Sequence, residues 1–237
     1  MGRRSHIYPH LILWNNLREV DRLLQIHTRV SGKKAGRKHN VAVLHKSAIV
    51  LLVACWEAFI EDLAEDAFSI MLQRAKAHGV FPKKVLAEAA KPLKDGVNPS
   101  DLWRLAGDGW KDVLRDHKSS LFERYISKLN TPRPAQVDAL YETLLGIKAV
   151  SNTWHWKGMS AKEARQTLEE LIELRGSIAH RVAARRTVRK KDVFRQVDFV
   201  NRIAVQTSNA VRLHLLDATG KEPWPNFTYQ KTQDEAN

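Results

Sequence analysis

Ala48-Ile-Val-Leu-Leu-Val-Ala-Cys-Trp56 is the stretch of this sequence that decides the fold. A helix that is apolar on all sides, as this run would be, is buried on all sides. The run lies in the middle of a predicted helix over Val41–Ala77, which Gly79 and Pro82 end. It is far shorter than the ~20 residues of a membrane-spanning helix. It therefore predicts the central helix of a bundle.

Helical periodicity continues on both sides of this segment, and no stretch alternates in the manner of a half-buried strand. The other predicted helices cover His10–Val30, Lys84–Ala90, Pro99–Ala106, Trp110–Leu129, Pro134–Leu145, a segment from Ser160 to about Ala184, and Lys190–Ala218. We therefore predict an all-α helical bundle with a loop-rich helical insertion in its middle. An N-terminal helix with a basic linker is expected over 1–40, the main helical domain over 41–219 and a flexible polar tail over 220–237.

The charge of the chain favours a polyanionic partner. Its 39 basic and 26 acidic residues among 237 leave a net charge of +13, and basic side chains displace the counterions that condense on phosphate backbones. Nucleic acid is the leading candidate and an anionic membrane surface the lesser one. The single cysteine, Cys55, excludes an intramolecular disulfide framework and a multi-cysteine metal site. With no signal-peptide core at the N-terminus, we expect a soluble, cytoplasmic protein.

The segment from Leu168 to Val182 reads Leu-Glu-Glu-Leu-Ile-Glu-Leu-Arg-Gly-Ser-Ile-Ala-His-Arg-Val. At 100° per residue its apolar side chains form one stripe, composed of Leu168, Leu171, Ile172, Ile178, Ala179 and Val182. Arg175 falls within this stripe, so its charge must be paired or face a cleft. His180 lies about 140° away around the helix. Two copies of the helix could bring both side chains to one site across a twofold axis. Gly176, which costs ~1 kcal/mol relative to alanine in a helix, would permit a close approach there.

Arg175-Gly-Ser-Ile-Ala-His180 resembles the Arg-x4–6-His motif of the HEPN superfamily (higher eukaryotes and prokaryotes nucleotide-binding). The apolar run that leads into Trp56-Glu57-Ala-Phe-Ile-Glu61-Asp62 is similar to a helix of the RiboL-PSP group. So is the order in which Trp154–Trp156 precedes the motif helix and a long closing helix. The resemblance implies a HEPN-like bundle, commonly dimeric, whose active members are metal-independent endoribonucleases. In these enzymes the motif helices of two subunits form a composite site.

The resemblance makes His180 the acid/base and Arg175 the stabiliser or organiser of the site. In this chemistry a ribose 2′-hydroxyl attacks the adjacent phosphorus, and no metal or other cofactor is needed. Histidine suits proton transfer near neutral pH, and the guanidinium fork of arginine matches phosphate oxygens. Gly176 stands where many members carry a polar residue, often Asn. Ser177 could supply a polar group instead, but it points elsewhere on the helix.

Supporting roles are predicted for residues on both sides of the motif. Glu57 and Glu61 share a helix face, and Glu57 is expected to fix Arg175. The basic run after the motif would hold an RNA backbone through Arg181, Arg185, Arg186, Arg189, Lys190 and Lys191.

Each of these features also has a structural interpretation. His180 could instead interact with the carbonyls at a helix C-terminus, and Arg175 could be an ion-pair partner for Glu57 or Glu61 without a chemical role. The basic run and the acidic residues after Trp56 could be solvated surfaces. The tryptophans of Trp154–Trp156 could stack on bases, although core packing is favoured.

Three functions remain open at this point. The leading one is a homodimeric HEPN endoribonuclease that acts on RNA, in bacterial defence or as the toxin of a toxin–antitoxin pair. The second is a non-catalytic HEPN module that binds RNA or nucleotides. The third is an interaction domain that docks a protein partner such as an antitoxin or another regulatory protein. No membrane partner is expected.

Overall fold

A computed structural model describes residues 8–31, 42–96, 98–126, 129, 131–181 and 188–230 of the 237. Within these ranges, the side chains of residues 27–31, 99, 180 and 181 are not described. The predicted positions Lys33, Lys34, Arg37 and Lys38 of the basic linker, together with Arg185 and Arg186, lie outside the described residues.

The described chain forms seven α-helices and three short 3-10 helices. The α-helices are α1 (Pro9–Ser31), α2 (Ala42–Arg74), α3 (Lys83–Lys94), α4 (Gly109–Ile126), α5 (Pro134–Leu145), α6 (Ala161–Arg181) and α7 (Lys190–Thr219). The 3-10 helices cover His78–Val80, Pro99–Leu105 and Val150–Thr153. No β-strand occurs in the part of the chain that the structure describes, so the predicted all-α fold is confirmed.

Helix α2 is the centre of the bundle, packed against α1, α4, α5, α6 and α7. Most of the run Ala48–Trp56 is buried, although Ala54 is exposed and Val50 and Leu51 are only partly covered. The prediction of burial on every side is therefore wrong at Ala54, because the neighbouring helices leave one line of α2 uncovered. By length and composition α2 is also the one described helix that could cross a membrane. Half of the most apolar 18-residue segment of α2 is buried inside the protein, as in the core helix of a bundle.

The ends of the helices follow local sequence signals. Helix α5 begins with Pro134 and ends at Gly146, whose φ of 83° lies in the left-handed region that suits glycine. Helix α6 begins at the predicted capping box, in which Ser160 N–H donates to Glu163 Oε2 at 2.7 Å and Glu163 N–H donates to Ser160 Oγ at 3.2 Å. Helix α2 ends at Arg74, earlier than the predicted Ala77.

Residues 221–230 lie along α7, whereas composition predicts a loose tail over 220–237. Trp224 is buried, and its Nε1–H donates to the carbonyl oxygen of Ser208 at 3.3 Å. Asn209 holds the backbone of Phe227 through two hydrogen bonds of 2.8 and 2.9 Å. The aromatic side chains in this otherwise polar stretch supply the apolar contacts that attach it to the bundle.

The two tryptophans at the start of the α6 region have different surroundings. Trp154 is fully buried against the edge of Trp56, and its Nε1–H donates to Thr207 Oγ1 at 2.8 Å. Trp156 is partly covered, and the Arg202 guanidinium lies 5.4 Å from its ring centre. Trp154 is therefore part of the core, where its ring cannot stack on a base, and it joins α7 to α2 directly before α6 begins.

Candidate functional site

Helix α6 positions the motif by burying one face against α2. Leu168, Leu171, Ile172 and Ile178 are all buried, as the stripe predicts. Ala179 is exposed, so its predicted place in the stripe is wrong. Its angle around the helix lies between those of Leu168 and Ile172, and it stands near the C-terminal end of α6. Val182 lies outside the described residues.

Arg175 lies on this packed side of α6 and is only partly exposed. Its Nε atom is buried and has no hydrogen-bond partner among the described residues. A buried donor without a partner costs about 1–3 kcal/mol, and more when the group is charged. The guanidinium is thus partly buried on α6, and its Nε donor is unused among the described residues.

The structure brings Glu57 of α2 to Arg175 of α6. Burial raises the pKa of the Glu57 carboxyl above its ordinary value, and the positive charge of Arg175 opposes that rise. The two side chains interact electrostatically, but no direct ion pair joins them within the part of the chain that the structure describes. This arrangement differs from a saturated structural salt bridge, because the arginine keeps donors available.

Glu61 lies one helical turn further along α2, in a more acidic environment. Burial, then the charge of Glu57, then that of Asp62, raise the pKa of the Glu61 carboxyl. Asp62 also has a raised pKa, through burial and the charges of Asp66 and Glu65. Glu65 itself accepts a hydrogen bond from Lys118 Nζ of α4 at 2.7 Å. Of these carboxylates, Glu57 is the one whose pKa the charge of Arg175 affects.

Gly176 and Ser177 differ in what they offer to a ligand. A Cβ atom at Gly176 would meet nothing within 4 Å among the described residues, which leave this side of α6 open. The Ser177 hydroxyl donates to the carbonyl oxygen of Leu174 at 2.8 Å, within its own helix. The hydroxyl proton is therefore engaged by the backbone and is not available to a ligand in this conformation.

The described part of the basic run returns to the bundle beside the first turns of α2. Val188 is buried, and its carbonyl oxygen lies 3.0 Å from His45 Nδ1. Arg189 and Lys191 are exposed, while Lys190 lies over the Phe194 ring at 5.3 Å. The run therefore presents cations to solvent at the start of α7. The backbone of His180 and Arg181 completes α6, and their side chains are outside the description.

His45 was not predicted from the sequence as part of this region. Burial lowers the pKa of its imidazole, the hydrogen bond to Val188 opposes that shift, the charge of Lys190 adds to it, and the charge of Asp192 opposes it. Its position at the polar start of α2, directly before the apolar run, is the only sequence signal that could have indicated it. His45 fixes the point at which the basic run rejoins the fold.

No group of three or more His, Cys, Asp and Glu side chains that could hold a metal ion occurs among the described residues. The described part of the site places a partly buried guanidinium near a carboxylate, with exposed cations at the start of the next helix.

Comparison of the sequence with known protein families gives a match. The sequence profile of RiboL-PSP-HEPN matches residues 15–212, most of the span from α1 to α7. No curated protein and no solved structure gives a significant match. The profile match indicates an RNase-like or nucleotide-binding module of the HEPN superfamily. Because the match covers well over half of an all-α chain, the protein belongs to the RiboL-PSP-HEPN family.

Proposed function

We propose that this protein is a metal-independent endoribonuclease of the HEPN type that cleaves RNA at a composite site in a homodimer. The observation that carries the proposal is the state of Arg175, whose guanidinium is held on α6 with a buried Nε that lacks a partner. The side chain is partly exposed, and its terminal nitrogens make no hydrogen bond or ion pair within the described residues, so phosphate oxygens would engage them. In this proposal Arg175 stabilises the negative charge that develops on the phosphorane.

His180 is assigned the proton transfers. In this proposal an imidazole removes the proton of a ribose 2′-hydroxyl, the freed oxygen attacks the adjacent phosphorus, and the bond to the 5′-oxygen breaks. The 5′-oxygen leaves with a proton from an imidazolium, and the other fragment ends in a 2′,3′-cyclic phosphate. DNA lacks the attacking hydroxyl, so RNA is the expected substrate. The helical geometry puts Arg175 and His180 about 140° apart on α6, which favours a site shared between two chains.

Glu57 is a positioning residue in this proposal. Its carboxylate attracts the positive charge of Arg175 without forming a direct ion pair with it. It can therefore orient the guanidinium and still leave hydrogen-bond donors of Arg175 for a phosphate group. Glu61 supports the same face of α2. The open space at Gly176 supports the dimer, because nothing in the described chain blocks another backbone or an RNA strand there.

The basic residues after α6 are assigned to the RNA backbone. Arg189 and Lys191 are exposed at the start of α7, and we include Arg181, Arg185, Arg186 and Lys190 with them. Contacts of this kind position a strand without reading its sequence. RNA affinity is therefore expected to fall with rising salt concentration, because binding releases counterions from the RNA.

A non-catalytic module is the second candidate. It is favoured by Gly176, which stands where many family members carry a polar residue, and by the Ser177 hydroxyl, which is bonded to Leu174. Such a protein would bind RNA or nucleotides, or dock a protein partner, without turnover. We further propose that the protein acts in the cytoplasm, in bacterial defence or as a toxin, and that an antitoxin or another regulatory protein restrains it.

The test is incubation of the purified chain with RNA in excess EDTA. The proposal predicts fragments ending in 2′,3′-cyclic phosphate from wild type, and none from His180→Ala or Arg175→Ala. His155→Ala is a matched control, because His155 is an exposed histidine outside the motif, and it should cleave at the wild-type rate.

Other outcomes separate the alternatives. Cleavage that requires magnesium, or that His180→Ala retains, contradicts the proposal. Salt-sensitive RNA binding without products at any protein concentration supports the non-catalytic module. In cells, growth inhibition that survives His180→Ala contradicts a ribonuclease toxin.

A further inference from the structure

A pocket separate from the Arg175 region lies between the first turns of α1, helix α7 and residues 226–230. It has a volume of about 300 Å³, at the lower end of the range for small-molecule sites. Its lining shares no residue with the Arg175 site and consists of His10, Leu11, Trp14, Asn201, Asn226, Phe227, Thr228 and Gln230. Among the residues that the structure describes, no acidic side chain, lysine or arginine lines it.

The apolar part of this pocket is aromatic. The His10 imidazole stacks on the Phe227 ring, with ring centres 4.4 Å apart and planes inclined by 25°. Trp14 is 43% exposed, so much of its indole is open to solvent or to a ligand. An exposed tryptophan beside a stacked pair provides a surface for another flat ring.

His10 is more than nine-tenths buried at this site, and its Nδ1 has no hydrogen-bond partner among the described residues. Burial lowers the pKa of the imidazole to about 4, so the ring is neutral near pH 7. The pocket therefore combines a polar aromatic ring that is not fully satisfied with neutral amide and hydroxyl groups. The described lining residues offer no lysine, arginine or charged histidine to a phosphate group.

The wall formed by residues 226–230 is fixed before any ligand arrives. Asn209 holds both the N–H and the carbonyl of Phe227, and Asn201 Nδ2 donates to the carbonyl oxygen of Gln230 at 3.2 Å. On either side of Phe227, the side chains of Asn226 and Thr228 are exposed. They are free to turn their donors and acceptors toward a bound molecule.

We propose that this pocket binds an uncharged, planar heteroaromatic ring of the nucleobase type. The ring would lie against the Trp14 indole, and its polar edge would face the side chains of Asn226 and Thr228. Proteins recognise unpaired bases by the same combination of an aromatic face and neutral hydrogen-bonding groups. The neutral and aromatic character of the described lining residues favours the base over the phosphate as the recognised group.

Two ligands could present such a base to the pocket, a free nucleoside or an RNA strand with an unpaired base. Neither source depends on His180 or on cleavage. The inference therefore stands or fails separately from the proposed ribonuclease activity.

The test is an NMR ligand titration of the full chain with adenosine, guanosine, cytidine and uridine at millimolar concentration, and with RNA trinucleotides. We expect saturable binding of at least one of these ligands, weakened about tenfold or more in Trp14→Ala through loss of stacking. Asn226→Ala should weaken it less. Trp103→Ala is the matched control, since Trp103 is 80% exposed and does not line the pocket, and it should bind as wild type does.

The two sources are distinguished by the ligands. Trp14-dependent binding of nucleosides indicates a free nucleoside, and Trp14-dependent binding of trinucleotides alone indicates a base within a strand. The inference is overturned if none of these ligands binds saturably, or if Trp14→Ala binds as tightly as wild type. It is also overturned if ribose without a base competes fully, because the pocket would then recognise a sugar.

Discussion

Replacing Glu61 by glutamine is expected to stabilise the protein at neutral pH. Burial and the charges of Glu57 and Asp62 raise the pKa of the Glu61 carboxyl. A raised pKa means that the folded state disfavours the ionised form relative to the unfolded state. The carboxylate therefore lowers the free energy of unfolding above its folded-state pKa, and this penalty disappears as the pH falls below the ordinary value of 4.5.

The size of the effect follows from the position of Glu61 on α2. Glu57 is four residues away on the same face, and a like-charge pair at this spacing costs about 0.2–0.5 kcal/mol. Removal of the unfavourable burial of the charge adds to this, discounted because the side chain is partly exposed to solvent. We expect Glu61→Gln to raise the free energy of unfolding by about 0.5 kcal/mol at pH 7. In a domain of this size that corresponds to about 1–2 °C in Tm.

Glu57→Gln is the matched comparison. It relieves the same repulsion with Glu61, but it also removes the attraction between Glu57 and Arg175. Its gain in stability should therefore be smaller than that of Glu61→Gln. If Glu57 orients Arg175 for catalysis, Glu57→Gln should lower the rate of RNA cleavage more than Glu61→Gln does.

The assay is urea unfolding of wild type and both variants at pH 7 and at pH 3.5, followed by circular dichroism. The expected order of stability at pH 7 is Glu61→Gln, then Glu57→Gln, then wild type, with the differences lost at pH 3.5. The electrostatic reasoning is refuted if Glu61→Gln is less stable than wild type at pH 7, or if its gain is unchanged at pH 3.5.

Three further predictions concern α6 and its surroundings. Trp154→Ala should lower the free energy of unfolding by about 3–5 kcal/mol in urea titrations, because it leaves a cavity beside Trp56 and removes the hydrogen bond that Trp154 donates to Thr207; a loss below 1 kcal/mol would show that the ring is not part of the core. Ser160→Ala should cost about 1 kcal/mol by the same measurement through loss of the α6 cap, and an unchanged midpoint would argue against the capping box. Gly176→Ala should stabilise the isolated chain by up to ~1 kcal/mol, since its Cβ meets nothing. The same variant should slow cleavage where a partner chain or RNA needs that space, and a destabilised chain would contradict the open face at this position.

The fold could be predicted from the sequence wherever a local signal decided it. The apolar run of α2 indicated the core helix, and the Ser160 capping box and Gly146 indicated helix ends that the structure confirms. Helix α3 extends to Lys94 with Pro92 inside it, beyond the predicted end at Ala90. Its buried side chains Val85, Ala89 and Leu93 explain the extension, since they form one packed face that periodicity over the shorter range did not include.

Features that depend on neighbouring elements could not be predicted in this way. Periodicity assigns side chains to a stripe, but it does not show which positions the neighbouring elements cover, so the exposure of Ala54 and Ala179 could not be predicted. The polar composition of residues 221–230 concealed the anchoring role of Trp224. The unused donor of Arg175 and the pocket at His10 arise from packing between separate elements. The spacing of residues along the chain therefore does not predict them.

The most direct test of the proposed chemistry compares one RNA with its fully 2′-O-methylated copy. Both are incubated in excess EDTA with the same preparation of the protein, and product formation is followed over time. The account predicts cleavage of the unmodified strand and no products from the methylated strand, because the attacking hydroxyl is blocked. Equal cleavage of both strands would contradict attack by the 2′-hydroxyl, and with it the roles assigned to Arg175 and His180.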